Sequence, residues 1–232
     1  MATELLKIYG DRKSQPTRAL LLFSKVNGIE FEEVTIELFT GASKTLEFQA
    51  INPMKKVPAI AHGDFTLFES HAILIYLACA YNVPDHWYPS DLRKRAKLHS
   101  ILDWHHTNLR RGSVTYLINT VLAPIFGKSP NPEGAAEGEQ ALASSFSTIE
   151  TVWLKGDAKF LLGNDEPSIA DLSLGSEIMQ LYMLGDEDRN RLIGPYNKVQ
   201  EWIENVKNAT NPHFDEVHQP LFEVIASFRQ KA

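Results

Sequence analysis

Apolar and polar positions change their spacing along this chain, and the change divides it into two regions. The first is built from short runs. Leu5-Leu6-Lys7-Ile8-Tyr9 predicts a strand that Gly10-Asp11 ends. Ser14-Gln15-Pro16 then opens a helix, because proline is favoured in a first helical turn; Thr17 to Phe23 continue it and Asn27-Gly28 stops it. From Phe31 to Ile36, β-branched residues interrupted by glutamates predict a second strand at a sheet edge. Residues 40–50 read as a short, irregular helix anchored by Leu46 and Phe48. Val57 to Ile60 predicts an apolar strand with Pro58 at its start, where a missing N–H is tolerated and an X-Pro bond can be cis at little cost. Gly63-Asp64 predicts a tight turn into Phe65 to Phe68, and Ser70 is the expected N-cap of a helix running from His71 to Leu77.

Asn82 to Ser90 has two prolines and no helical period, the pattern of a linker, and its Trp87 and Tyr88 suggest that it packs down. Beyond it strand patterns nearly vanish. Asp91 to about Thr120 reads as one long helix, Ala135 to Lys155 as another, and Ser168 to Leu184, Pro195 to Ala209 and His213 to Arg229 as three more. Pro124, Pro130 and Pro132 break the chain between the first two. Ser168 with Asp171 three residues on is a variant capping box, read as a folding signal rather than a site. The expected organisation is an α/β domain over 1–82, a linker over 83–90 and an all-helical domain over 91–232.

Composition narrows the function. An apolar share of 44% and a charged share of 22% are those of a globular protein, and a net charge of −6 argues against a general nucleic-acid binder. One cysteine, Cys79, excludes an internal disulfide or a Cys-x-x-Cys pair; late in an apolar helix, it reads as a buried, inert thiol. The opening Met-Ala-Thr-Glu-Leu-Leu-Lys does not resemble a signal peptide and no apolar run approaches spanning length, so a reducing intracellular compartment and no membrane are expected.

Candidate chemistry is sparse. His71, His99, His105 and His106 show no metal-ligand spacing, and neighbours on a helix point apart, so no metal site is expected. Phosphate-binding glycine loops are absent. Arg110-Arg111 reads as a solvated positive spot. Ser14 lies between the first strand and the first helix. As a cap it needs no further role, but a thiol bound between it and the Val57-Pro58 loop would give it one, because a hydroxyl donor and helix-terminal amides both favour thiolate. Lowering such a pKa by about two units asks for about 2.7 kcal/mol.

Several ordered stretches carry a resemblance: Tyr9 with Ser14-Gln15-Pro16-Thr17-Arg18-Ala19, Asn52 to Ala59, Glu69 to Leu77, Asp103 to Arg111, and Ser168 to Leu172. Over nearly its whole length the chain resembles the glutathione transferases, in particular the theta class in its plant form. The resemblance implies a thioredoxin-like α/β domain with a mixed four-stranded sheet and a cis-proline, an all-helical second domain, and a cytosolic homodimer. Cytosol is preferred over peroxisome or nucleus because the ending Phe228-Arg229-Gln230-Lys231-Ala232 is no peroxisomal address. It further implies glutathione as cosubstrate with no tightly bound cofactor, and small hydrophobic electrophiles or organic hydroperoxides as acceptors. Carried over by position, Ser14 donates to the glutathione sulfur and Arg110 adds positive charge near it. Val57 and Pro58 hold the cysteinyl backbone, Lys56 lies near the glycyl carboxylate with Ser43 and Lys44, and Glu69 and Ser70 take the γ-glutamyl end. Tyr116 and Leu117 are expected in the electrophile pocket, and Tyr9 is the rival hydroxyl to Ser14. The other reading is a non-catalytic binding or scaffold protein of the same fold.

Overall fold

Leu6 and Ile8 alternate with the half-exposed Lys7 and Tyr9, so the first strand buries one set of side chains more deeply than the other. In the computed structural model, which describes residues 4–229, this strand β1 (Leu6–Gly10) pairs in parallel with β2 (Phe31–Thr35) and antiparallel with β3 (Ala59–His62). A tight turn leads to β4 (Phe65–Phe68), giving a mixed four-stranded sheet in the order β2-β1-β3-β4, with β2 at an edge as expected. Helix α1 (Gln15–Val26) crosses from β1 to β2 and is buried from Thr17 to Ser24, because its apolar residues join those of the sheet in one core and later helices pack on it. Gly10 makes the turn into it possible: a Cβ there would lie 2.3 Å from Thr17 Cγ2.

Three local expectations are corrected here. Helix α2 (Leu46–Ile51) follows a 3-10 turn over Ala42–Lys44, is capped by the Thr45 hydroxyl accepting from Phe48 N, and buries Phe48, but Leu46, in its first turn, is 79% exposed. Helix α3 (Ser70–Ala80) begins at Ser70 itself; its N-cap position is Glu69, at φ 71°, and no side chain caps it. Cys79 is exposed, because α3 is apolar nearly all round and its spacing cannot tell the inner face from the outer.

The connecting segment does pack down. Trp87 is buried edge-on against Phe23 at 5.7 Å, and its carbonyl accepts from Ile169 N at 3.0 Å. The expected helix from Asp91 to Thr120 is two helices, α4 (Leu92–Thr107) and α5 (Leu109–Asn119), broken where Asn108 leaves helical geometry (φ −119°, ψ −89°) and turns its amide back to Trp104 O at 2.9 Å. Helix α6 (Pro132–Thr148) continues into a π-helical turn over Ile149–Trp153. Helix α5 meets it at close range: a Cβ on Gly138 would lie 2.5 Å from Tyr116 N.

Helix α7 (Ile169–Met179) is wholly buried and begins at the predicted capping box. The Asp171 carboxylate accepts from Ser168 N and Oγ, each at 2.7 Å, from Leu161 N at 2.9 Å and from Trp202 Nε1 at 2.8 Å. Helix α8 (Asp186–Ile193) escaped the sequence reading because it buries only Leu192 and Ile193. Helices α9 (Asn197–Thr210) and α10 (His213–Arg229) complete the helical region. One continuous apolar core runs from Leu6 in the sheet to Val217 in α10. Among the described residues no helix is long and apolar enough to cross a membrane. The first three residues, and the Gln230-Lys231-Ala232 ending weighed above, lie outside the described residues.

Candidate functional site

A cavity of about 230 Å³ opens where the sheet-bearing region meets the helices. Pro16, Asn52, Lys56, Val57, Pro58, Glu69 and Ser70 line it from one side, and His105, His106, Arg110, Ser173 and Glu177 from the other. The stretch from Asn52 to Pro58 is held by Asn52, a buried residue at the end of α2. Its Nδ2 donates to Lys56 O at 2.6 Å and its Oδ1 accepts from Met54 N at 2.9 Å. Lys55 takes φ 59° between them, and the Val57-Pro58 bond is cis. On the same side of the cavity, Glu69 and the buried Ser70 stand at the start of α3, the end at which backbone N–H groups are unpaired.

Ser14 is 6% exposed at the N-cap of α1. Its backbone is fully used: its N–H donates to Asp11 O at 2.8 Å and its carbonyl accepts from Arg18 N at 3.1 Å. Its hydroxyl makes no capping bond. The structural role that could have accounted for Ser14 is therefore not the one it plays. Asp11 shapes the turn ahead of it, accepting from Lys13 N and Leu38 N, each at 2.9 Å. Ser14 is not among the cavity's lining residues, whereas Pro16, two positions on, is.

Arg110 faces the cavity, but its charge is balanced. Its Nη1 donates to Glu177 Oε2 at 2.8 Å, and the same fully buried carboxylate accepts from Ser113 Oγ and, at 3.2 Å, from Gln15 Nε2. Burial works to raise the Glu177 carboxyl, and nearby His105, Arg110 and Ser113 overcome it, holding it down to about 2. Arg110 thus reaches the cavity as one half of an ion pair rather than as an isolated charge. Glu177 had a sequence signal: it is the one charged residue after Asp171 in the run Ile169–Met179. Asn52, His105 and Ser173 had none of comparable strength.

The histidines are the larger surprise. His71 at the start of α3 and His105 and His106 at the end of α4 each bring one ring nitrogen within 4.8 Å of the others. His71 Nε2 lies 2.7 Å from Ser173 Oγ and 3.2 Å from His105 Nδ1, and the His106 ring packs 4.4 Å from that of His71. Burial first, then the neighbouring histidines and Arg110, holds His71 down to about 2; burial and His105 likewise lower His106. Spacing could not reveal this group because His71 is 34 residues from His105. His99 is apart from it, 3.0 Å from Tyr88 Oη.

Other expected site residues fall elsewhere. Ser43 and Lys44 sit on the 3-10 turn ahead of α2 and do not line the cavity. Tyr116 and Leu117 are buried in the helical core, with Tyr116 Oη accepting from Arg191 Nη2 at 2.9 Å; the α5 face that carries them packs on α6, and spacing alone cannot choose that face. Tyr9 packs its ring 6.2 Å from that of Phe48.

Residues 4–79 match the family described as Glutathione S-transferase, N-terminal domain. The chain is 60% identical to glutathione S-transferase T1 of Arabidopsis thaliana over 97% of its own length and 93% of the relative's. It is 59% identical to glutathione S-transferase T2 of the same plant over 97% of its own length, but spans only 38% of that longer protein. Among solved structures, human glutathione transferase theta-2, crystallised with glutathione and an unknown ligand, superposes with a TM-score of 0.89 at 36% identity, covering 98% of this chain and 91% of that one. A sheet of this topology joined to a helical region, a cis-proline loop facing a helix start, and identity sustained over both regions place the chain in the glutathione S-transferase family, in its theta class.

Proposed function

We propose that this chain is a glutathione transferase that ionises the thiol of glutathione for attack on small hydrophobic electrophiles and organic hydroperoxides. The observation that carries the reading is the Ser14 hydroxyl, held at a strand-to-helix junction and not spent on capping. In this reading the cysteinyl backbone of glutathione pairs with Val57 ahead of Pro58, and its γ-glutamyl end meets Glu69, the Ser70 hydroxyl and the first N–H groups of α3. Lys56 takes the glycyl carboxylate. Ser43 and Lys44, set back on their turn, reach that end through water. Arg110, already paired with Glu177, orients an acceptor by hydrogen bonds rather than by an unbalanced charge.

The Ser14 hydroxyl donates to the sulfur and stabilises thiolate over thiol. In conjugation the sulfur lone pair forms a bond to carbon, and the displaced group leaves with its electron pair. With a hydroperoxide, sulfur attacks the distal oxygen and the O–O bond breaks. The alkoxide takes up a proton to become an alcohol, and the glutathione sulfenic acid is resolved by a second glutathione to disulfide and water. The same reading makes the protein a cytosolic homodimer with no tightly bound cofactor.

Steady-state conjugation of an aromatic halide and reduction of an organic hydroperoxide, for wild type and Ser14→Ala, test the proposal. The variant is expected to lose about 100-fold in kcat/KM, equivalent to about 2.7 kcal/mol, while still binding glutathione by calorimetry. Full activity in Ser14→Ala with loss in Tyr9→Phe would move the role to Tyr9. Tight glutathione binding without turnover on a broad electrophile panel would leave a binding protein.

A further inference from the structure

We propose that His71, His105 and His106 form a binding site for one divalent cation of borderline softness, with Zn²⁺ as the probe, in the wall of the cavity where α3 meets α4. The geometry is close to what such an ion requires. Zn–N bonds of about 2.0–2.1 Å set tetrahedral ligand nitrogens about 3.3 Å apart. His71 Nε2 and His105 Nδ1 are already 3.2 Å apart. All three ligand atoms lie within 4.8 Å of one another, and His106, the exposed member, is the one free to swing inward. Two ring nitrogens facing each other at that distance can share one proton or one cation.

The surroundings fit as well. A histidine that ligates a metal through one nitrogen typically directs the other N–H at a carboxylate, which fixes its tautomer. His105 Nε2 is buried without a hydrogen-bond partner, and it points at Glu177 Oε2 from 3.6 Å. That carboxylate is held in place by Arg110 and Ser113. Ser173 Oγ, which also lines the cavity, now lies 2.7 Å from His71 Nε2, so an ion bound there would replace it as that nitrogen's partner and leave its hydroxyl close by as an oxygen donor. Three neutral imidazoles with one open position suit Zn²⁺, and Cu²⁺ or Ni²⁺ by affinity order, over Mg²⁺ or Ca²⁺, which require oxygen ligands. A bound ion would tie α3 of the sheet-bearing region to α4 of the helical one.

The site does not depend on glutathione, and the test omits it because its thiol would compete for the metal. Titrating the full chain with Zn²⁺ by calorimetry is expected to show one bound ion and a raised Tm. His106→Ala, which removes an exposed ring and leaves the buried pair intact, is expected to weaken binding at least about tenfold and abolish the Tm shift, as is His71→Ala if it folds. Co²⁺ in place of Zn²⁺ should give the visible d–d bands of a tetrahedral nitrogen site without a thiolate charge-transfer band, and Cys79→Ser should change nothing. Absence of stoichiometric binding, binding unchanged in His106→Ala, or binding lost in Cys79→Ser would overturn the assignment.

Discussion

His218 shows how a single buried side chain can set a pH limit. It lies inside α10, where Nδ1–H donates to Phe214 O at 2.8 Å and the ring stacks on Phe214 at 4.2 Å, while Nε2 has no partner. Burial first, and the charge of Arg18 second, holds its pKa down to about 3 from the ordinary 6.5. Above pH 6.5 neither folded nor unfolded chain protonates this group, so it makes no pH-dependent contribution there. As pH falls below 6.5 the unfolded chain takes up a proton that the folded one refuses. Stability is therefore lost progressively between pH 6.5 and about 3, by up to about 1.4 kcal/mol per pH unit from this residue. Denaturation midpoints measured across that range should fall less steeply in His218→Gln than in wild type; equal slopes would refute the account. Arg18, beside it, is a fully buried guanidinium that donates to Ser176 O at 3.0 Å and Gln180 Oε1 at 2.7 Å, so one residue of α1 is anchored on the carbonyl end of α7.

At the scale of elements, the site is an assembly of helix ends. The start of α1, the end of α2 and the start of α3 come from one region; the end of α4, the start of α5 and the last turn of α7 come from the other. The break at Asn108 allows the His105-His106 pair and Arg110, on successive helices, to face the same cavity. Helix α7 is the central support, and its first turn rests on Asp171. Removing that carboxylate strands four buried donors, from Ser168, Leu161 and Trp202, and dissolves the capping box. Asp171→Ala is expected to cost about 3–5 kcal/mol, read as a shift in urea midpoint or as loss of soluble protein. A variant of near wild-type stability would show that water replaces the carboxylate.

Across the whole molecule, one apolar core joins the sheet to the helices through Phe23, Trp87, Ile169 and Leu172. A shared core predicts a single cooperative unfolding transition despite the change of architecture. The chain offers convenient probes. All four tryptophans, at 87, 104, 153 and 202, lie beyond the sheet, and the single cysteine, Cys79, is exposed on α3. Tryptophan emission and a fluorophore on Cys79 should report the same urea midpoint. Separate midpoints would mean that the two regions unfold independently.

Local rules acting over a few residues account for what the sequence determined by itself. Period-two runs and turn residues located β1, β2 and β4, proline and glycine bracketed α1, and Ser168 with Asp171 announced the start of α7. The ordered stretches around Ser14, Val57-Pro58 and Glu69-Ser70 carried the family resemblance. What only the tertiary structure decided were matters of facing and meeting. Leu46 and Cys79 point outward, and Tyr116 and Leu117 inward, because a nearly all-apolar helix or a single short turn does not specify its buried side. Asn108 divides a helix whose local propensities ran on through it. Arg110 found a buried partner 67 residues away in Glu177, and three histidines without ligand spacing converged because the start of α3 and the end of α4 both come to rest against α7. Pairings of that kind arise from long-range packing, and local spacing cannot encode which distant side chain will be waiting.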